Sequence, residues 1–398
     1  MNILGIDVSK SSISACLITK KPADVRRFYY KYKFKKLTAN AFGVKEILNL
    51  KADAAILEPT GTNYSKIWVQ VLNSYGVKVY LVGHKELKNY RTYHLSLPDK
   101  DDDADALALA CYFFDYGEQP FRFVTIRDSI TSRIRELILR LNHLNRVQSP
   151  IINRIRQDLA WQFPEVALVK SKCGVKGDVP VLWGWLCGQR KSKRYDSLYL
   201  NSIGLGLSNT VYLHAERLCS LQKEEWQVER EIEHLLSDDQ FAKYRKVFNY
   251  FGFGMRVQAM ILSQIYPLEN FLGEDRKPII EVSEGRNSHK PSKRHISQRK
   301  FQKMLGFAPT QESSGDSQKS RVTGGNDSTR IAVWLWVFTR IEVKRNRVKN
   351  EIGKQLGTQL DREKEAGRPV RLVRARIAAK AVKLLFKYLV DEICENLE

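Results

Sequence analysis

Short runs of apolar residues, separated by polar breaks, occupy the first part of the chain. Their length and their alternation with polar residues are typical of β-strands. Five segments show this pattern: Asn2–Val8, Ser12–Ile18, Arg26–Phe34, Ala52–Leu57 and Val77–Val82. Between the last two, residues 64–75 place apolar side chains three and four positions apart, which is helical spacing. The pattern therefore predicts three strands followed by a β-α-β unit, that is, an α/β domain.

A longer periodicity follows in the middle of the chain. From Ile130 to Leu159 the apolar residues step by threes and fours, which predicts a long amphipathic helix of coiled-coil character. Gln148 interrupts its apolar seam, and Pro150 is expected to kink it. A second helix of this kind is predicted over Leu218–Leu235, and the two helices could pair as an antiparallel hairpin or across a dimer. Residues 173–207, between them, show no clear periodicity.

The C-terminal part of the chain is predicted to be mostly helical. Helical patterns cover Ile331–Arg340 and Val370–Val390, and residues 252–254 (Gly-Phe-Gly) predict a tight turn between two helices. Such a turn either binds a phosphate through backbone N–H groups, in the manner of a helix-hairpin-helix, or is a simple glycine turn. The polar, proline-containing stretch Gly273–Ser297 predicts a mobile insertion. We divide the chain into domains 1–125, 126–240, with an unassigned insertion near 166–209, and 241–398.

The charge of the chain points to a polyanionic partner. There are 66 Lys and Arg residues against 44 Asp and Glu residues, a formal net charge of +22, unlike the near-balance typical of enzymes that act on small metabolites. No apolar run is long enough to span a membrane and no signal-peptide pattern opens the chain, so we expect an intracellular protein with no membrane partner. The six cysteines form no C-x-x-C pair, so a zinc ribbon is excluded and reduced, packed thiols are expected.

Two basic segments are candidates for contact with nucleic acid. Arg26–Lys33 interleaves basic and aromatic residues, and it either stacks nucleotides or is a strand with an aromatic face against the core. Arg371, Arg374 and Arg376 either contact phosphate or form the solvated side of a helix.

Carboxylates recur at the ends of predicted strands and at the start of a predicted helix. Asp7 and Glu58 each end a strand, and an acidic run at residues 99–105 meets an Ala- and Leu-rich segment of high helix propensity. On that helix Asp102 and Asp105 share a face. Singly, each acid is a common turn or cap residue; together they would repel one another unless Mg²⁺ or Mn²⁺ lay between them. Removing one acid is therefore expected to cost little stability.

These motifs together resemble a known family. Residues 5–10 (GIDVSK), then Glu58-x-Thr60-Gly61-x-x-Tyr64, then Asp102-x-x-Asp105-Ala106, are similar to the DEDD-type transposases of insertion sequence family IS110, related to the Piv invertase and RuvC resolvase. The predicted order of strands suits the RNase H-like (RuvC-like) domain of such proteins. The resemblance implies a catalytic tetrad that holds two Mg²⁺ or Mn²⁺ ions. The tetrad is Asp7, Glu58, Asp102 and Asp105, with Asp101 or Asp103 as alternatives to Asp102.

The same resemblance implies a second site in the C-terminal transposase domain. That domain shows a helical Gly-x-Gly turn, a segment like residues 304–309 (MLGFAP), a Ser-Gly pair and a basic tail. Here the matching serine is Ser314, in the turn at residues 312–315, with Ser313 as the alternative. The resemblance makes it the nucleophile that attaches to DNA. Phe251 replaces a usual proline and Thr310 a common arginine, and the resemblance covers residues 1–165 and 210–390.

The function implied is that of a transposase or recombinase that cuts and rejoins DNA strands to move an insertion sequence. Its implied partners are donor and target DNA, a structured guide RNA encoded by the element (bridge RNA), and further copies of the chain in a dimer or tetramer. It would act in the cytoplasm of a prokaryotic cell, on the nucleoid.

Two other functions are compatible with parts of the pattern. A RuvC-like structure-specific nuclease would use only the four acids and would not need Ser314. A catalytically inactive, nucleic-acid-binding relative would need neither site, and the presence of Asp7, Glu58, Asp105 and Ser314 argues against it.

Overall fold

The protein, analysed as a computed structural model, is described over residues 1–59, 63–97, 101–124, 128–284, 291–314 and 317–394, with the backbone alone between 310 and 323. The chain forms two compact units, Met1–Arg127 and Asp128–Glu398. The predicted boundary after residue 240 stays a prediction. Along the part of the chain that the structure describes, no helix is both long enough and apolar enough to cross a membrane.

A five-stranded mixed sheet forms the centre of the first unit. Its strands are β1 (Ile3–Val8), β2 (Ser12–Ile18), β3 (Lys35–Thr38), β4 (Ala54–Leu57) and β5 (Lys78–Leu81). The spatial order is β3-β2-β1-β4-β5. β2 pairs antiparallel with both β1 and β3, whereas β4 runs parallel to β1 and β5 parallel to β4. The predicted α/β class of this unit is thus confirmed, and the strand order suits an RNase H-like domain.

Helices cover both faces of this sheet. They are α1 (Val25–Lys31), α2 (Ala41–Leu48), α3 (Lys66–Ser74), α4 (His84–Asn89), which continues as a π-helical turn (Tyr90–His94), and α5 (Asp102–Tyr116). On one face Ile3, Cys16 and Ile56 pack with α5. On the other face Leu4, Ile6 and Leu57 pack with Trp68 and Leu72 of α3. Strands β1, β2 and β4 are therefore buried on both sides, as their apolar runs predict, whereas β3 is mostly exposed.

The prediction of a third strand at Arg26–Phe34 is wrong. Helix α1 occupies most of it, and the third strand lies later, at β3. The side chain of Asp24 caps α1 by accepting a hydrogen bond from the Arg27 N–H. Phe28, Tyr29 and Tyr32 stand at helical spacing and pack on the core, while the basic residues of the segment are exposed. Alternation of aromatic and basic residues therefore reflected the two sides of a helix.

The second unit is mainly helical. Its helices are α6 (Ser129–Gln162), α7 (Val181–Leu186), α8 (Lys193–Leu200), α9 (Asn209–Leu236), α10 (Ala242–Tyr250), α11 (Met255–Ile265), α12 (Ile296–Met304), α13 (Asp327–Trp336), α14 (Glu351–Glu365) and α15 (Val370–Cys394). Its strands are β6 (Ile280–Glu284), β7 (Pro291–His295), β8 (Ala308–Ser314) and β9 (Ser317–Gly324), which form two separate antiparallel ribbons. The four helices predicted from periodicity in this part of the chain correspond to α6, α9, α13 and α15. The ribbon β6-β7 lies inside the stretch predicted as a mobile insertion and was not expected.

The long helices α6 and α9 pack against each other in antiparallel directions. Near one end Arg133 Nε lies 2.6 Å from Glu231 Oε1, and near the other the Ser208 N–H donates to Gln162 Oε1 at 2.6 Å. The pairing occurs within one chain, which is the hairpin alternative. Pro150 lies inside a continuous α6, and whether the pair is a true coiled coil stays a prediction.

Residues 173–207, whose sequence shows no clear periodicity, contain α7 and α8. These short helices bury Trp183 and Tyr195 against Phe163 and Leu218, so they close the ends of α6 and α9 with a small core of their own. Four cysteines of the chain are buried, Cys16 and Cys111 in the first unit and Cys187 and Cys219 in the second, and all six are free thiols as expected.

Candidate catalytic site

Two of the predicted acids end neighbouring parallel strands of the first unit. Asp7 lies in β1, and Glu58 directly follows β4. The register pairs Ile6 with Leu57, so the residues that follow them, Asp7 and Glu58, lie at the same edge of the sheet. The sequence-based expectation that strand ends bring these residues to one edge is consistent with this topology.

Glu58 is held by a histidine that the sequence did not single out. Its Oε1 atom lies 2.6 Å from Nδ1 of His84, the first residue of α4. The Glu58 side chain is largely buried, whereas the imidazole is mostly exposed. Thr60 and Gly61, which belong to the same motif, lie outside the described residues.

Asp105 forms a buried ion pair. Its Oδ1 atom lies 3.0 Å from Nη1 of Arg91, and both side chains are less than 10% exposed, at 9% and 7%. Arg91 belongs to the π-helical turn that follows α4, and Asp105 belongs to the first turn of α5. A charge in such a place is stable only when it has a partner, so each residue requires the other.

Glu58 and Asp105 open into one cavity of about 200 Å³. Its lining consists of Glu58, His84, Leu87, Lys88, Arg91 and Asp105. Two acids of the predicted tetrad are thus brought to a common space, and two cations share it with them. The lining is close to electrically neutral, so a phosphate group is not excluded by repulsion.

The acidic residues at the start of α5 make different contacts from one another. Asp101 caps the helix and accepts a 2.6 Å hydrogen bond from the Tyr29 hydroxyl, which raises the pKa of Tyr29 to about 12. Asp103 accepts a hydrogen bond from Ser14 and lies 3.7 Å from Lys36 Nζ. Asp102 is exposed and has no hydrogen bond or ion pair with any residue that the structure describes. Of the three candidates for the third acid, Asp101 and Asp103 thus have side-chain partners among the described residues.

Among the residues that the structure describes, the acids are not grouped as a metal site. Carboxylate oxygens are suitable ligands for Mg²⁺, but among the described residues no group of three or more His, Cys, Asp or Glu side chains is placed to hold a metal ion. The guanidinium of Arg91 forms an ion pair with Asp105, and Nδ1 of His84 lies within hydrogen-bond distance of Glu58.

The second predicted site lies in the second unit, and the structure corrects its local form. Glu312 to Ser314 belong to strand β8 and not to a turn, with Ser314 opposite Ser317 at the end of the ribbon β8-β9. The side chains of Ser313 and Ser314 lie outside the described part. Gly252 does form a tight turn between α10 and α11 at φ +65°, where an added Cβ would lie 2.8 Å from Val348. Whether this turn binds phosphate stays a prediction.

Arg91 and His84 are the site residues that sequence reasoning missed. Both lie in the helical segment that follows β5, whose carboxyl end lies at the same edge as those of β1 and β4. That position is the signal that could have drawn attention to them. Residue type alone could not single out Arg91, because the chain has 66 Lys and Arg residues.

Comparison with known protein families finds a match in the N-terminal part of the chain. Residues 4–164 match a family model described as transposase, of the DEDD type of insertion sequence IS110. The match spans all four acids and stops before Ser314. No curated protein matches the chain significantly.

Among solved structures, the chain is similar to RuvC of Thermus thermophilus at 16% identity, over 31% of this chain and 100% of that chain, with a TM-score of 0.21. A second match is T. thermophilus RuvC in complex with a Holliday junction substrate, at 14% identity, with the same coverage and a TM-score of 0.22. TM-scores this low establish no common fold.

Proposed function

We propose that the chain is a DNA transposase or recombinase whose first unit cuts DNA strands. The observation that carries this proposal is the match of residues 4–164 to a family model of DEDD transposases. Within the matched region, Glu58 and Asp105 line one cavity, which supports the proposal further. The formal charge of +22 supports DNA as the substrate, since a polyanion is attracted by such a field.

Within this proposal the four acids Asp7, Glu58, Asp102 and Asp105 are the catalytic carboxylates. Their assignment rests on the family motif, on the shared edge of β1 and β4, and on the cavity. Lys88 and Arg91 in the cavity lining offer donors to phosphate oxygens, and charge-assisted hydrogen bonds of this kind orient a phosphodiester.

Ser314 is proposed as the nucleophile that joins the protein to DNA. Its hydroxyl oxygen would bond to a DNA phosphorus, the bond from that phosphorus to one deoxyribose oxygen would break, and the serine proton would pass to the departing oxygen through solvent. The phosphoserine ester keeps the phosphodiester energy for rejoining. The Ser-Gly pair and its family resemblance support this assignment.

A structured guide RNA is proposed as a further partner, on the basis of the family resemblance and the basic charge. The test is purification of the full chain from cells that carry its element, followed by sequencing of bound RNA. We expect a non-coding RNA from the flanks of the gene. Equal recombination with and without that RNA would exclude a guide role.

The test of the main proposal compares cleavage of element-end DNA by the full chain and by variants in the first unit. Asp7→Asn and Glu58→Gln are expected to abolish cleavage with Mg²⁺ or Mn²⁺ present. Glu118→Gln, an exposed acid of the same unit outside the cavity, is the matched control and should cut normally. Normal cutting by Asp7→Asn would refute the assignment.

The covalent adduct separates the two enzyme functions. A DNA adduct that is lost in Ser314→Ala and kept in Ser313→Ala supports a serine recombinase. Cleavage without any adduct indicates a RuvC-like nuclease. No cleavage by the wild-type chain with any DNA indicates the inactive relative.

A further inference from the structure

A second and larger cavity lies in the second unit, where the apolar seam between α6 and α9 is interrupted. It has a volume of about 670 Å³, within the range of about 300–1,000 Å³ typical of ligand sites. One face of α6 (residues 145–156) and one face of α9 (residues 222–229) line it, together with residues 170–173, Trp183 and Arg256. We call it the seam cavity.

The polar residues of this seam are not explained by helix pairing alone. Gln148, the residue that interrupts the apolar periodicity, is 5% exposed and donates to Glu225 Oε2 at 2.8 Å. A buried polar pair can serve to fix the register of two helices. A polar network that only fixes the register of two helices should, however, satisfy all of its own hydrogen bonds, because a partly satisfied buried network is less stable than an apolar seam.

Two buried polar atoms, in side chains of residues that line this cavity, have no partner among the described residues. They are Oε1 of Gln222, whose side chain is more than nine-tenths buried at 6% exposure, and Nε of Arg156. One is an acceptor and the other a donor, so a ligand that satisfies both must carry both kinds of group. A cavity of this volume is far larger than a single water requires.

The charges of the cavity favour an anion. Its two acids, Glu225 and Glu229, are both paired with Arg256. Burial raises the pKa of Glu225, but hydrogen bonds from Gln148 and Arg256 outweigh this effect and leave the pKa below its ordinary value, so the pair is ionised. The other three cations on the lining, Arg156, Lys170 and Lys172, form no salt bridge with a described residue. The surplus positive charge suits phosphate.

The cavity also offers an aromatic surface. Trp226 is half-buried, its indole N–H donates to the Val175 carbonyl at 3.0 Å, and Gly177 lies against its ring. A fixed indole is a platform for a base, and such stacking accepts any base. A simple inorganic anion would use the cations but would leave the Gln222 carbonyl without a donor.

We propose that the seam cavity binds an unpaired nucleotide of a single-stranded segment. Its phosphate lies at Arg156, Lys170 and Lys172. Its base donates an N–H to the Gln222 carbonyl and contacts Trp226. A volume of about 670 Å³ is too small to hold a base-paired duplex. This inference rests on the proposed function for the presence of nucleic acid, and it deepens that function by assigning a site outside the catalytic unit.

The test is equilibrium binding and photocrosslinking of the full chain with short oligothymidylate that carries photoreactive thiothymidine, and with the corresponding oligouridylate. The Arg156→Gln/Lys170→Gln variant should bind either strand about tenfold more weakly. The matched control is Arg146→Gln/Lys223→Gln, which removes the same charges from exposed positions outside the cavity and should bind like wild type. Crosslinks should map to residues 145–156, 170–173 or 222–226.

A second variant guards against a folding artefact. Ser149→Leu fills the mouth of the cavity and leaves every charge in place, and it should reduce single-strand binding without changing duplex binding or the thermal unfolding midpoint. Equal loss in both charge variants, unchanged binding in the cavity variants, or crosslinks elsewhere would each overturn the inference.

The same experiment separates this inference from the proposed function. If the wild-type chain binds no nucleic acid, both fail. If it binds and cuts DNA but the seam cavity makes no contribution, only the inference fails. The oligothymidylate and oligouridylate arms show whether DNA, RNA or both supply the nucleotide.

Discussion

At the scale of single residues, the ion pair Arg91–Asp105 determines what substitution of Asp105, one of the proposed catalytic acids, does to stability. From the sequence we expected that removing an acid would relieve repulsion at little cost. The structure changes this expectation for Asp105, because its carboxylate is buried against a guanidinium. Removing it leaves a buried positive charge without its partner.

We therefore predict that Asp105→Ala destabilises the first unit by about 3–5 kcal/mol, the usual effect of breaking a buried ion pair. Urea unfolding monitored by circular dichroism measures it. Asp102→Ala, at an exposed position on the same helix, should change the free energy of unfolding by less than about 0.5 kcal/mol. Equal, small effects of both substitutions would show that the ion pair contributes nothing. A loss of activity in Asp105→Ala alone is thus not proof of a catalytic role.

The same pair predicts competition between Arg91 and a divalent ion. If a metal competes with the guanidinium for the Asp105 carboxylate, Arg91→Gln should bind Mn²⁺ about tenfold more tightly than wild type by calorimetry. Lys88→Gln removes one positive charge from the same cavity without touching the pair and should have a smaller effect. If both variants bind Mn²⁺ as wild type does, the metal does not use Asp105.

At the scale of elements, sequence patterns predicted most strands and long helices, and they failed where two patterns coincide. The β1, β2, β4 and β5 strands were predicted from apolar runs because both of their faces are buried. Helix α1 was mistaken for a strand because a short amphipathic helix and an alternating strand give similar patterns over seven residues. The position of Asp7 and Glu58 at the same edge of the sheet could be predicted from the strand ends. The contact of Arg91 with Asp105 could not, because it depends on how a π-helical turn packs on α5.

The close packing of α5 on β1 depends on Gly5. A Cβ at this position would lie 2.0 Å from the Ala106 carbonyl oxygen in α5. Gly5→Ala should force the helix away from the sheet and destabilise the unit by about 1–3 kcal/mol, as overpacking does. Thermal unfolding tests this. Gly254→Ala, where a Cβ would meet nothing within 4 Å, is the control and should be nearly neutral. A neutral Gly5→Ala would mean that α5 is not fixed against β1.

At the scale of the whole molecule, the proposed catalytic residues are divided between the two units. Asp7 and its fellow acids lie in Met1–Arg127, whereas Ser314 lies in Asp128–Glu398. A serine hydroxyl is a weak nucleophile unless other groups assist it. The proposed mechanism thus requires residues of both units at one phosphodiester.

In an oligomer, the two sets of residues can come from different copies of the chain. We predict that a mixture of Asp7→Asn and Ser314→Ala proteins, each inactive alone, regains DNA strand exchange after subunits are allowed to exchange. Gel analysis of recombined DNA measures the rescue. The control mixture, Asp7→Asn with Glu58→Gln, has no intact first unit and should stay inactive. No rescue in the first mixture would place both sets of residues in the same copy.

The buried cysteines can serve as chemical probes of how often each unit opens. Burial raises the pKa of Cys16 and Cys111 in the first unit and of Cys219 in the second, so reactive thiolate is scarce while these cores are closed. An alkylating reagent can reach them only when the surrounding structure opens, whereas the partly exposed Cys173 and Cys394 react first. Peptide-resolved labelling rates would therefore report the opening free energies of the sheet unit and the helical unit separately, in the unmodified protein.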